Sequence, residues 1–107
     1  MLTSLRNPMV KQFRRLHQTK ARQQQKMFVL EGTHLLEEAC ATKAELKVVC
    51  CTENWQQSHL ALWETAIAHA NRVELVSEAV LKVIATTMTP DGVVAIAQLP
   101  VTHPFSQ

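Results

Sequence analysis

Apolar residues recur at helical spacing in the first part of the chain. Asn7 and Pro8 favour the start of a helix, because an Asn side chain caps free amide groups and Pro fits the first helical position. The next apolar residues fall within one arc of a helical wheel: Met9, Val10, Phe13 and Leu16. The residues in the opposite arc are cationic: Lys11, Arg14, Arg15 and, if the helix continues that far, Arg22. The pattern predicts a helix with one packed face and one cationic face.

The rest of the chain alternates short apolar runs with helical patterns. The apolar runs predict strands over 27–30, 46–52, 73–76 and 93–97. The helical patterns cover 33–42, 58–71 and a short stretch that begins at the capping residue Ser77. The helix over 58–71 has a predicted inner stripe of Leu60, Trp63, Ala66, Ile67 and Ala70. This alternating order predicts an α/β domain with a mostly parallel or mixed sheet between helical layers.

The pattern ends after Gln98. Residues 99–105 contain two prolines and no periodicity, which is typical of a linker. We therefore predict one folded domain over 1–98 and the start of a linker to an absent domain over 99–107. A tail on a complete small protein would look similar.

Composition narrows the class of protein. A chain of 107 residues is one domain, and 47% apolar with 19% charged residues is ordinary for a globular fold. The sequence contains neither an apolar run of about 18 residues nor the apolar segment of a secretory signal. Two of its three cysteines, Cys50 and Cys51, are adjacent, which favours reduced thiols. We expect a cytoplasmic protein that does not bind membranes.

The net charge of +2 hides a strong asymmetry. Residues 1–30 contain seven Arg and Lys and no acid, whereas the remaining 77 residues contain four basic and nine acidic side chains. A basic arm on a mildly acidic body indicates a partner rich in phosphate, such as a nucleic acid. A solvated helix face near a terminus would carry the same charge, so both interpretations stay open.

Patterns for metal binding, cofactor binding and catalysis are missing from the sequence. The five His and three Cys form no metal-ligand spacing, and two glycines are too few for a glycine-rich phosphate loop. No local signature marks a nucleophile. We therefore predict no metal, no cofactor and no catalytic residue in this chain.

Three positions permit a binding role and a structural one. Gly32 lies between a strand and a helix, where the amides of Thr33 and His34 could receive a phosphate, although a turn glycine is the favoured interpretation. Glu31 could be catalytic, but an ion pair with Arg22 is the favoured interpretation. Trp55 could stack on a base, but packing is favoured.

A set of short motifs resembles a known family. The motifs are Arg6-Asn7-Pro8 with Val10-Lys11, then Phe28-Val29-Leu30-Glu31-Gly32, Leu35-Leu36-Glu37-Glu38-Ala39, Ile84-Ala85-Thr86-Thr87 and Pro90-Asp91-Gly92-Val93-Val94-Ala95. Together they resemble the N-terminal substrate-binding domain of SpoU-type (TrmH-like) RNA 2'-O-ribose methyltransferases over residues 4–98. Asp91 is a departure, because an amide is usual there.

The resemblance implies a three-layer α/β/α sandwich with a central mixed sheet of about four strands, similar to kink-binding ribosomal proteins. It also implies a separate methyltransferase domain, absent here, that binds S-adenosylmethionine and forms a homodimer. The implied partner is RNA, and the opening motif is more similar to members that act on ribosomal RNA than on transfer RNA. The predicted RNA-binding residues are Arg6, Asn7, Lys11, Arg14, Arg15, Lys20, Arg22, Lys26 and Gly32.

Two alternatives belong to other classes. One is a free-standing ribosomal or kinked-RNA-binding protein of the same fold without enzymatic activity. The other is an interaction module whose basic face docks an acidic protein.

Overall fold

A computed structural model describes residues 1–88 and 90–98, so the predicted linker over 99–107 lies outside the described residues. The helices are α1 (Pro8–Arg15), α2 (Thr19–Gln25), α3 (Thr33–Ala41), α4 (Glu53–Ser58), α5 (Leu60–His69) and α6 (Glu78–Ile84). The strands are β1 (Met27–Glu31), β2 (Leu46–Cys51), β3 (Ala70–Leu75) and β4 (Val93–Gln98). No helix of the described part is long and apolar enough to cross a membrane.

The four strands form one mixed sheet in the order β1-β4-β2-β3. β2 and β3 are parallel, and β4 lies antiparallel to both β1 and β2. β1, β2 and β3 therefore run in one direction, and their carboxyl ends share one edge of the sheet. The turn into β4 starts at that same edge, because β4 runs the opposite way.

Helices cover both faces of the sheet. One apolar cluster joins α1, α2 and α6 to residues such as Cys50, and the other joins α3, α4 and α5 to residues such as Cys51. Neighbouring strand residues point to opposite faces, so the two adjacent cysteines lie in different clusters. The predicted three-layer sandwich is confirmed.

Side-chain caps start two helices where the sequence predicts them. The Asn7 carboxamide oxygen accepts a hydrogen bond from the Met9 amide at 2.8 Å, and Pro8 follows it at the first helical position. The Ser77 hydroxyl oxygen accepts from the Val80 amide at 3.2 Å. Each cap satisfies an amide that lacks a partner within its helix.

The structure differs from the sequence prediction in two helical regions. The first ends at Arg15, and α2 follows after a short turn. The predicted helix over 58–71 corresponds to α5, which is shorter because β3 already begins at Ala70, and the sequence did not predict the short helix α4 that precedes it. The predicted inner stripe is therefore wrong in part: Ala66 is fully buried, whereas Leu60 and Ile67 are exposed.

Candidate nucleic-acid interface

The structure has the cationic face that the sequence predicts for α1. Lys11, Arg14 and Arg15 are all exposed, while Val10 and Phe13 on the other side of the helix are fully buried. The three cations and Gln18 line a shallow depression of about 390 Å³. The amphipathic pattern in the sequence thus produces a compact cationic surface, which we call the basic face (Lys11, Arg14 and Arg15).

Carboxylates do not neutralise the basic face within the described residues. The ion pairs among the described residues are Lys47–Glu45 at 2.6 Å and Arg72–Glu74 at 2.7 Å, and the His34 ring lies 3.3 Å from the Glu38 carboxylate. All of them lie on other elements. Arg14 and Arg15 occupy the last turn of α1, where the helix dipole favours positive charge, so their placement does not destabilise the helix.

The other predicted RNA-binding residues of the N-terminal segment are more dispersed. Arg6, Lys20 and Lys26 are exposed but do not line the depression. Asn7 is half-buried, and its side-chain oxygen already accepts a hydrogen bond from the Met9 amide. The structure therefore brings together three of the predicted residues and leaves the others of this segment outside the depression.

Arg22 closes the turn between α1 and α2. Its guanidinium donates hydrogen bonds to the carbonyl oxygens of Leu16 at 3.0 Å and His17 at 3.1 Å, and to the Thr19 hydroxyl at 2.8 Å. Carbonyls at the end of a helix lack partners within the helix, and a guanidinium offers several donors in a fixed geometry. Arg22 thus holds the segment that follows the basic face.

Glu31 binds a different element from the one the sequence suggested. Its carboxylate accepts hydrogen bonds from the amides of Thr86 at 2.9 Å and Thr87 at 3.2 Å, and from both threonine hydroxyls. Burial raises the pKa of Glu31, but these hydrogen bonds outweigh it and leave the pKa below its ordinary value. The expected Arg22–Glu31 pair is wrong, because Glu31 instead anchors the segment after α6.

Gly32 makes the turn from β1 into α3. Its φ of 101° and ψ of 158° lie in a region that side chains strongly disfavour, in agreement with the favoured turn interpretation. The next amide, that of Thr33, donates to Asp91 Oδ2 at 2.7 Å, so an internal carboxylate already occupies it. Hydrogen bonds from the Thr33 hydroxyl and amide lower the pKa of Asp91.

A cavity of about 470 Å³ opens at the same edge of the sheet, between α4, α6 and the turn before β4. Trp55 forms part of its wall and is only 3% exposed, so the packing interpretation is confirmed for this residue. Its ring stacks on His59, with centroids 4.8 Å apart and planes 19° apart. Sequence reasoning missed His59, although its spacing of four from Trp55 was the available signal.

The same edge offers no arrangement typical of a metal centre. Within residues 1–88 and 90–98, no group of three or more His, Cys, Asp or Glu is placed to hold a metal ion. Burial raises the pKa of the Cys50 and Cys51 thiols to about 12, so both are neutral core groups at physiological pH.

Helix α6 connects the basic face to this cavity. The ring Nε2 of His17, just after α1, makes a hydrogen bond with the carbonyl oxygen of Ile84 at the end of α6, at a distance of 2.8 Å. Leu81 belongs to the core that α1 helps to form, and it also lines the cavity. Helices α1 and α6 thus belong to one packed layer, and α6 also borders the cavity.

A protein-family model for the MRM3-like substrate binding domain matches residues 7–95. An uncharacterized tRNA/rRNA methyltransferase from Synechocystis is 48% identical over 94 residues, which cover 88% of this chain and 34% of that protein. The chain therefore spans about a third of the length of this relative.

Solved structures resemble the chain over nearly its whole length. An rRNA methyltransferase from Sinorhizobium meliloti matches with a TM-score of 0.78 and 28% identity, over 94% of this chain and 37% of that one. Its AdoMet-bound form matches with a TM-score of 0.77 and 29% identity, with the same coverage. An RNA 2'-O ribose methyltransferase matches with a TM-score of 0.69 and 33% identity, over 92% of this chain and 37% of that one.

Proposed function

The chain belongs to the family of MRM3-like substrate-binding domains, and from this membership we propose that it binds the RNA substrate of an RNA methyltransferase. The membership confirms the resemblance to SpoU-type enzymes. The proposed parent protein transfers a methyl group from S-adenosylmethionine to a ribose 2'-oxygen. The names of the similar proteins, which include a 2'-O ribose methyltransferase and an AdoMet-bound rRNA methyltransferase, support this proposal.

The observation that carries the RNA-binding role is the basic face. Lys11, Arg14 and Arg15 are exposed around one depression, without a carboxylate partner among the described residues. Exposed cations of this kind neutralise phosphates and release the counterions condensed on the nucleic acid. Such contacts position an RNA without reading its sequence.

S-adenosylmethionine is assigned to the part of the parent protein outside this chain. Both glycines, Gly32 and Gly92, are committed to tight turns with positive φ, and the chain has no glycine-rich loop that would let its backbone approach a nucleotide. This supports the proposal that the cofactor binds outside this chain. We propose that the parent protein is a cytoplasmic homodimer, associated through the same absent part.

Ribosomal RNA is the proposed substrate in preference to transfer RNA. The Synechocystis relative is named for both, whereas the Sinorhizobium protein is named for ribosomal RNA alone. The alternative of a free-standing kinked-RNA-binding protein is less favoured, because the similar proteins are methyltransferases about three times as long as the matched region.

Binding measurements on the 107-residue chain test this function. We expect fluorescence anisotropy to show salt-dependent binding to a structured ribosomal RNA fragment, and weaker binding to a transfer RNA. Calorimetry should show no saturable binding of S-adenosylmethionine. RNA affinity that does not change with salt would contradict the phosphate-binding role. Micromolar binding of S-adenosylmethionine would contradict the proposal that the cofactor binds outside this chain.

A further inference from the structure

We propose that Gln18 accepts a hydrogen bond from a ribose 2'-hydroxyl, so that the surface around the basic face distinguishes RNA from other chains of phosphates. The inference rests on the proposed function, because it adds a second kind of contact where the phosphates bind. Gln18 lines the same depression as the three cations of the basic face, and its side chain is exposed. Phosphate contacts alone position a nucleic acid but do not identify its sugar.

Gln18 differs chemically from the cations beside it. Lys and Arg side chains carry only hydrogen-bond donors, whereas a Gln amide has a carbonyl oxygen that accepts and an NH2 group that donates. A ribose 2'-hydroxyl has a hydrogen to donate, and the sugar of DNA lacks this group. Of the four side chains that line the depression in the described part of the chain, that of Gln18 is therefore the one that can accept this hydrogen.

The side-chain amide of Gln18 is free to take this partner. It makes no cap at the start of α2, and no hydrogen bond joins it to another group within residues 1–88 and 90–98. Gln12 on α1 provides the contrast, because it is half-buried and its amide nitrogen donates to Gln25 Oε1 at 2.6 Å. Gln18 therefore breaks no internal hydrogen bond when it binds a sugar.

The backbone around Gln18 is fixed on both sides. Its amide donates to the Arg15 carbonyl oxygen at 3.1 Å, and its own carbonyl oxygen accepts from the Arg22 amide at 3.2 Å. The Arg22 guanidinium also binds the carbonyl oxygens of Leu16 and His17. The turn that carries Gln18 is thus preformed, and binding has only one exposed side chain to order there.

The phosphate contacts bring a sugar to the same place. In an RNA strand, each 2'-hydroxyl lies next to the phosphate that follows it. Phosphates bound by Arg14 and Arg15 therefore place a 2'-hydroxyl at the depression that Gln18 lines. Within the described residues the lining contains no aromatic side chain on which a base could stack, so the groups in contact are sugar and phosphate.

The test compares one RNA hairpin with its 2'-fluoro counterpart of the same sequence. Fluorine leaves the phosphate charge and the A-form helix unchanged but cannot donate a hydrogen bond. We expect fluorescence anisotropy to give about threefold to tenfold tighter binding of the wild-type chain to the RNA, the range for one hydrogen bond. Gln18→Met keeps the length of the side chain and should bind both hairpins equally, with the wild-type salt slope because no charge is lost.

Gln24→Met is the matched control. Gln24 is exposed on α2 but does not line the depression, so this variant should retain the preference for RNA. Equal, salt-dependent affinity of the wild-type chain for both hairpins would overturn the role of Gln18 and leave phosphate binding intact. A preference that persists in Gln18→Met, or that is lost in Gln24→Met, would also overturn it. Failure of the wild-type chain to bind either hairpin would overturn the proposed function as well.

Discussion

The guanidinium of Arg22 lies 3.0 Å from the carbonyl oxygen of Leu16, across the turn that ends α1. A second bond to the His17 carbonyl oxygen, at 3.1 Å, makes the same side chain the closing group of that turn. Arg22 therefore fixes the direction in which the chain leaves the basic face.

Arg22→Ala should lower the free energy of unfolding by about 1–2 kcal/mol, because hydrogen bonds from a charged donor to half-buried carbonyls are lost. Urea denaturation followed by circular dichroism measures this loss. Arg15→Ala is the matched control, since it removes an exposed Arg and should change stability by less than about 0.5 kcal/mol. Equal stability of both variants and the wild type would contradict the role of Arg22 in the turn.

Sequence patterns predict helix α1, but they do not predict the hydrogen bonds that close the turn at its end. The apolar arc of Met9, Val10 and Phe13 predicts the buried side of α1, because helical periodicity is a local property. The break after Arg15 is not predictable in the same way. No Pro or Gly marks it, and a side chain further along the sequence satisfies the free carbonyls.

The hydrogen-bond partners of Glu31, at the end of β1, could not be predicted from the sequence either. Its partners, Thr86 and Thr87, are more than fifty residues away in sequence. A nearby cation is an equally reasonable partner by chemistry alone. Only the pairing of β1 with β4, which brings distant segments to one edge, decides between them.

The two glycines provide a matched pair of substitutions. Gly32→Ala should cost about 1–2 kcal/mol, because φ is 101° while the nearest atom to an added Cβ, Asp91 Oδ2, is 3.8 Å away. Gly92→Ala should cost at least about 1 kcal/mol more, because φ is 113° and the Cβ would also lie 2.9 Å from the Trp55 Cβ. Thermal and urea unfolding would contradict this packing if Gly32→Ala were the less stable variant.

Glu31 should contribute to stability in a pH-dependent way. Its pKa in the folded protein is lower than the ordinary value of 4.5, so its contribution is present above pH 4.5 and is lost as the pH falls through the folded-state pKa. Glu31→Gln should therefore be less stable than the wild type at pH 7, and the difference should shrink below pH 4.5.

The measurement for Glu31 is urea unfolding at a series of pH values. Glu37→Gln controls for the loss of a negative charge, because Glu37 is exposed and its carboxylate has no hydrogen-bond donor among the described residues. A stability difference for Glu31→Gln that stays constant from pH 7 to acid would contradict the anchoring of Thr86 and Thr87 by a charged carboxylate.

The salt dependence of RNA affinity tests the central claim, that the basic face binds phosphate. Wild-type chain, Arg14→Ala and Arg15→Ala are compared by fluorescence anisotropy with one structured ribosomal RNA fragment at several salt concentrations. Lys47→Ala is the control, since Lys47 is already paired with Glu45 at 2.6 Å. Each Arg variant should reduce the slope of log affinity against log salt by about one, with little change in stability, while the control keeps the wild-type slope. Wild-type slopes in both Arg variants would contradict the account.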